Sequence, residues 1–145
     1  MKNILVSACL LGEPCRYDGK SKPCERVIAL KGTYNLIPIC PEVMGGLPTP
    51  RTPSEICGER VLMKDGRDVT ENYNRGAQKA LEIARENACT VAILKEKSPS
   101  CGSGLIHNGL FDGGLVEGDG ITTQLLKQNG IRVLGESEIT EDFAL

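Results

Sequence analysis

The sequence has no tryptophan, three tyrosines, two phenylalanines and a single histidine among 145 residues. Aromatics at 3% leave little material for a platform on which nucleic-acid bases would stack. An excess of positive charge is missing as well. Seventeen Lys and Arg stand against nineteen Asp and Glu, for a net charge of −2, which argues against a chain whose main work is gripping phosphate backbones. No apolar stretch approaches the roughly 18 residues that a membrane-spanning helix requires, so no membrane partner is expected. The opening MKNILVSACLLGEP lacks a charged leader and turns polar at once. It reads as a first strand and not as a signal peptide, which leaves the cytoplasm as the expected location. The lone histidine, His107, does not suit a zinc site, since zinc draws on combinations of Cys and His. In a polar, glycine-rich loop it reads as a surface or hydrogen-bonding residue.

Cysteine, by contrast, is abundant: seven in one short chain. The number is odd and no export signal precedes it, so metal-binding or catalytic use is expected in place of a disulfide framework. Cys89, in ENACTVAIL, reads as a small buried hydrophobe. Cys9 in VSACLLG, Cys40 in LIPICPEVMGG and Cys101 in KEKSPSCGSG do not, because they border Gly, Pro and Ser.

The length suits one domain spanning residues 1–145. Residues 3–8 read as a buried strand, 9–23 as a turn-rich loop, roughly 24–31 as a short helix and 35–39 as a second strand. Pro38 within that strand points to a sheet edge or a strand end. Residues 41–60 read as a long loop, a length that is uncommon unless functional. VLMKDGRDV reads as a hairpin turning at Asp65-Gly66. Thr70 is placed to cap a helix running to about residue 88, with Glu71 complementing its dipole and Tyr73, Ala77, Ala80, Leu81, Ala84 and Ala88 forming one apolar stripe. TVAIL (90–94) reads as a strand covered on both faces. A glycine-rich loop follows to about residue 118. ITTQLLKQNG reads as a helix ending at Gly130, with Asp119 at its start as a cap, IRVLG as a last strand and SEITEDFAL as a tail helix. Strands alternating with helical crossovers define an α/β, Rossmann-like three-layer domain: a mainly parallel sheet of about four strands with helices on both faces.

In such sheets, sites gather at the carboxyl ends of the strands. Cys9 follows the first strand, Cys40 closes the second, and Cys101 lies in the loop leaving TVAIL, so all three fall at one edge. Neighbouring strand ends stand about 4.8 Å apart if the first strand lies between the other two. Three thiolates without histidine suit an iron–sulfur cluster. A [4Fe-4S] cube held by three protein ligands leaves one iron open to act as a Lewis acid. Cys15, in EPCRYDG, Cys24 and Cys57 compete as ligands. Cys15 stands out because it sits six residues after Cys9, as a fourth ligand, a second catalytic thiol or a packing residue.

The segments SACLLG with CRYDG, CPEVMGGL with PRTPSEI, LKEKSPSCG, and GDGITTQLLKQNGI resemble, in order and over essentially the whole chain, the thiouracil desulfidase family. The resemblance implies a [4Fe-4S] cluster on Cys9, Cys40 and Cys101 whose open iron takes the sulfur of a thiolated pyrimidine. It places an acidic catalytic residue at Glu42 and a catalytic serine at Ser98 or Ser100. The implied reaction is non-redox: water, aided by Glu42 as general base, adds to the ring carbon, and hydrogen sulfide leaves. Arg51 reads either as a substrate contact or as the ion-pair partner of Glu55 or Glu59, and Arg16 with Asp18 poses the same choice. Gly45, Gly46 and Gly102 are expected to let backbone approach the cluster closely.

Two other readings use the same thiols. A metal-free cysteine phosphatase or transferase would pair Cys9 with Arg16, but six residues separate them, one more than that cradle takes. A non-enzymatic iron–sulfur or sulfide carrier would need no Glu42. Chemistry on thiolated tRNA is disfavoured by the lack of basic charge, so a small nucleobase is the expected partner.

Overall fold

The computed structural model describes residues 1–145. Its centre is a four-stranded, wholly parallel sheet built from β1 (Asn3–Ser7), β2 (Asn35–Ile39), β5 (Val91–Leu94) and β8 (Arg132–Gly135) in the order β2-β1-β5-β8. Strand β1 therefore lies between β2 and β5, as the clustering of Cys9, Cys40 and Cys101 requires. Pro38 sits on β2 opposite Val6, at the sheet edge, where its missing N–H breaks no inner ladder.

Alternation along the strands builds two cores. Leu5, Ala92, Leu94 and Val133 face one side and meet Ala80, Leu81 and Ala84 of α3 (Thr70–Glu86) and Leu126 of α4 (Ile121–Gln128). Ile4, Val6, Ile93 and Leu134 face the other side. There they meet Leu10, Val27 of the one-turn α1 (Glu25–Ile28), Tyr34 and Ile139. The second covering layer is thin. The expected tail helix shrinks to a 3-10 turn at Glu136–Glu138, although Phe143 still packs against Tyr34 edge to face. The expected loop at 9–23 also opens with a 3-10 turn, Ala8–Leu11.

Between β2 and α3 the chain is more ordered than its composition suggests. Residues 41–60 hold the short helix α2 (Pro41–Met44) and strand β3 (Ser54–Cys57). Strand β3 pairs antiparallel with β4 (Arg60–Met63) in a hairpin turning at Gly58-Glu59, and the expected turn at Asp65-Gly66 follows it, with the Met63 N–H donating to the Arg67 carbonyl. The latter turn brings the chain back for only a single bridge, Leu62 to Asp68. A third core of Leu47, Val61, Met63, Val69 and Tyr73 fills the space between this hairpin and α3. The glycine-rich stretch after β5 likewise contains a hairpin, β6 (Leu105–His107) with β7 (Leu115–Glu117).

Two expected caps are replaced. Thr70 is the first helical residue and not the cap. The Asp68 carboxylate, two positions earlier, accepts the Thr70 N–H at 2.9 Å and the Thr70 hydroxyl at 2.6 Å. Asp119 does not cap α4. Its carboxylate accepts the Gly104 N–H and pairs with Lys127, while the first N–H groups of α4 donate to the carbonyls of Pro99 and Ser100. Helix α3 also ends at Glu86, two residues short of expectation, because Ala88 turns to a left-handed φ of 51° and faces solvent.

The Asp68 contacts carry a pH signature. The Thr70 hydroxyl, the Thr70 N–H and the Arg60 guanidinium pull its carboxyl down to about 2. A depressed folded-state value contributes stability above the unfolded value of about 3.9 and loses it as pH falls toward the folded value. Asp68→Ala is expected to melt below wild type at pH 7, with the gap narrowing as the pH is taken from 5 toward 2.5 in thermal scans. A gap independent of pH would rule out the charge as its source.

Candidate active site

Strand ends of β1, β2 and β5 open into one cavity of about 420 Å³, within the size range of small-molecule sites. Cys9, Cys15, Cys40 and Cys101 all line it, with Glu42, Arg51, Ser98, Arg16, Tyr73 and His107 among the other walls. Cys9 belongs to the core on one face of the sheet and Cys101 to the core on the other. The cavity thus straddles the end of the sheet. Cys24 and Cys57, weighed as competing ligands, are not part of it. Cys24 packs beside the second core, and the Cys57 thiol donates to the Gly109 carbonyl at 3.4 Å. Cys89 is buried in the core, as its apolar context suggests.

Each wall has a local cause. Cys40 is the residue before α2, and Pro41 starts that helix at a position where its missing N–H costs nothing. Helix α2 is held by glycine. A Cβ on Gly76 of α3 would collide with the Pro41 carbonyl, and one on Gly45 with the Asn72 carbonyl. Gly45 therefore serves the contact between α2 and α3, and Gly46, at φ +96°, lies beside Asn72 and Arg75. A Cβ on Gly102 would crowd the Ser98 carbonyl of its own loop. These close approaches position the helix and loop that carry site residues; none of the three glycines lines the cavity.

Glu42, on the first turn of α2, is clamped. Its Oε1 accepts the Arg51 Nε–H at 3.1 Å, and the Ser98 hydroxyl points to Oε2 at 3.5 Å. The Arg51 side chain is 4% exposed. Its other nitrogens donate to Pro48 O, Thr49 Oγ1 and Cys15 O. Arg51 thus pairs with Glu42 and not with Glu55 or Glu59, and it ties the Cys15 loop to the Glu42 carboxylate. Glu55 instead accepts the N–H groups of Gly109 and Phe111, fastening the β6–β7 hairpin over the cavity. Arg16 stands at 3.9 Å from Asp18 and over the Tyr17 ring, a loose pairing that leaves it on the cavity wall.

The two candidate serines separate cleanly. Ser98 Oγ accepts the N–H groups of both Ser100 and Cys101 at 3.0 Å. Both lone pairs are then occupied, and its O–H is left as a donor aimed at Glu42. Ser100 is fully buried, exchanges a 2.8 Å hydrogen bond with Thr122, and does not line the cavity.

The thiols respond to one another. Cys40 donates to the Cys15 carbonyl at 3.7 Å. At Cys15, the Cys40 thiol draws the pKa down, but the Cys9 thiol and burial outweigh it and leave it at about 11. Cys40 is pushed up by the Cys15 thiol and by burial. Cys101 is pushed up to about 12, first by burial, with Ser7 opposing and the charge of Glu42 adding. On their own these groups stay protonated at neutral pH, so any metal they take must displace protons. No three His, Cys, Asp or Glu side chains converge closely enough to share a single metal ion. Soft donors spread around one cavity fit a multi-iron cluster, in which each thiolate takes its own iron.

Among buried side-chain nitrogens and oxygens, the Tyr73 hydroxyl and His107 Nδ1 are left without a partner, and both residues line this cavity. His107 therefore does not sit on the open surface where its loop suggested. Tyr73 read in the sequence only as one position of an apolar stripe; a phenol at the first turn of an otherwise alanine-rich helix face was the available signal.

Fold and cavity together define a Rossmann-like α/β protein whose centre is a thiol-lined pocket beside a clamped carboxylate, at the carboxyl ends of parallel strands. A family profile described as 2-thiouracil desulfurase matches residues 4–138, and the chain belongs to that family. It is similar to the uncharacterized protein YbbK of Bacillus subtilis (strain 168), at 44% identity over 148 residues, covering 95% of this chain and 98% of that protein. It is also similar to a solved structure described as the [4Fe-4S]-dependent thiouracil desulfidase TudS, at 48% identity and a TM-score of 0.91, covering 96% of this chain and 93% of that one.

Proposed function

We propose that the chain, acting as one functional unit, is an iron–sulfur-dependent desulfidase. It converts a thiolated pyrimidine of the thiouracil class to its oxo form without net electron transfer: thiocarbonyl plus water gives carbonyl plus hydrogen sulfide. The observation that carries this reading is the meeting, in one cavity, of the thiols at three strand ends with Glu42 and Ser98. Family membership and the likeness to a thiouracil desulfidase support the same chemistry, and nothing in them favours a carrier or a metal-free phosphatase.

Cys9, Cys40 and Cys101 are assigned as the ligands of a [4Fe-4S] cluster, because the sheet itself fixes the strand ends from which they come. Cys15, on a loop between Cys9 and Cys40, is assigned to the wall. When bound, the cluster supplies a soft Lewis-acid site for the substrate sulfur. The protein does the rest. Glu42 takes a proton from the attacking water, a role worth ~10²–10⁴-fold. Arg51 holds the carboxylate in place by one oxygen, leaving the other free to exchange Ser98 for that water. Ser98, with its lone pairs filled by backbone N–H groups, donates into the cavity and orients water or substrate. Ser100 is left to anchor the loop to α4.

The small cavity and the net charge of −2 favour a free base or similarly small partner over RNA. No helix is long and apolar enough to cross a membrane. Cluster-forming thiols require a reducing setting, which suits the cytoplasm.

Anaerobic purification with iron and sulfide analysis, followed by incubation with thiouracils, tests the scheme. The expected result is about four irons per chain, with sulfide and uracil released in equal amounts and no reductant added. Turnover by iron-free protein, or a requirement for electrons, would overturn it.

A further inference from the structure

Tyr73 is 1% exposed, and its hydroxyl makes no hydrogen bond. A buried hydroxyl without a partner is costly, at about 1–3 kcal/mol, and native proteins leave few of them. Tyr73 lines the cavity that holds Glu42, Arg51 and the thiols. It lies near enough to Glu42 and Ser54 for both to act on it, yet bonds to neither. Burial first, and then the charge of Glu42, push its ionisation far upward, so the phenol stays protonated and remains a donor. A ligand seated against this wall would find an unpaired O–H beside Glu42.

We propose that the Tyr73 hydroxyl is a specificity-determining contact that donates a hydrogen bond to the exocyclic ring oxygen of the thiopyrimidine. The inference rests on the function proposed above. Every thiouracil with one sulfur keeps one carbonyl oxygen on the ring, and that oxygen is an acceptor. Two of the donors beside Glu42 are already committed: Arg51 to Glu42 and three further acceptors, and Ser98 toward Glu42. The Tyr73 hydroxyl, on the same wall, is an uncharged donor without a partner. A site built to hydrogen-bond a substrate oxygen rejects the analogue lacking it, because the protein group then stays unpaired.

The test is Tyr73→Phe in the iron-loaded, full-length protein. Uracil affinity by titration calorimetry is expected to weaken about 3- to 10-fold, the size of one neutral hydrogen bond. Wild type is expected to prefer 4-thiouracil over pyrimidine-4-thione, which lacks the ring oxygen, in kcat/KM. Tyr73→Phe loses that preference while iron content and visible spectrum stay unchanged. Its melting temperature without ligand is expected to equal or exceed that of wild type, because an unpaired buried hydroxyl has been removed. A merely structural hydroxyl would give the reverse, a lower melting temperature with uracil affinity intact. Unchanged uracil affinity, or equal losses on both substrates, overturns the proposal. If wild type itself releases no sulfide from 4-thiouracil, the desulfidase reading fails instead.

Discussion

Glu42→Gln is expected to cut thiouracil turnover ~10²–10⁴-fold while leaving iron content and the visible spectrum as in wild type. Glutamine keeps the length of the side chain and an oxygen for the Arg51 Nε–H. What it removes is the negative charge that accepts a proton from water. The Glu42 side chain is 16% exposed and Arg51 only 4%, so the substitution also leaves a buried guanidinium short of its counter-ion. Breaking a buried pair from one side is destabilising, although the three other acceptors of Arg51 survive and hold it in place. A modest fall in melting temperature should therefore accompany the loss of turnover. Iron analysis and spectra recorded on the same sample separate the two effects. Undiminished turnover with an intact cluster would remove Glu42 from the chemistry and leave a carrier or a different base.

The sheet was legible because its strands are continuous apolar runs with helices between them. NILVS, VAIL and RVLG are buried on both faces, and no other element type accommodates so short a run so well. The meeting of Cys9, Cys40 and Cys101 rested on one condition, that the first strand lie between the other two, and the order β2-β1-β5-β8 meets it. The hairpins were harder. Ser54–Cys57 carries charge and is preceded by prolines, and β6 and β7 are three residues each in a glycine-rich stretch. Their pairing is decided by the backbone ladder and by Glu55 reaching Gly109 and Phe111, contacts with no local pattern. Ser98 and Ser100 look alike in SPSCG. They differ only in where α4 packs, since Thr122 claims one and Glu42 faces the other. Arg51 found Glu42 and not its sequence neighbours because α2 turns that carboxylate back over the loop. Tyr73 merged with its stripe because periodicity records which face is buried, not whether a hydroxyl at its edge has a partner.

Replacing Cys9, Cys40 or Cys101 singly with alanine is expected to give folded, colourless protein with iron near background and no detectable sulfide release. The reason lies in how the thiols are held. Burial first puts Cys101 at about 12, and at Cys15 the lowering by the Cys40 thiol is outweighed by the Cys9 thiol and burial, which leave it at about 11, so a single thiolate does not persist there without metal. Ligation and deprotonation come together, and a set lacking one member cannot hold the rest. The fold should tolerate the change. Each substitution removes one sulfur that lines the cavity; Cys9 and Cys101 also pack in the two sheet cores, but Leu5, Ala80, Leu81 and Leu126 on one face and Ile4, Val6 and Ile93 on the other remain to hold the sheet. Circular dichroism and urea midpoints close to wild type would exclude misfolding as the cause of iron loss. Cys15→Ala is the decisive comparison. Its thiol interacts with both Cys9 and Cys40, but it comes from a loop and not from a strand end. It is expected to keep about four irons per chain. Should Cys15→Ala lose its iron while Cys9→Ala retains it, the ligand set would shift to Cys15, Cys40 and Cys101, with Cys9 forming part of the wall.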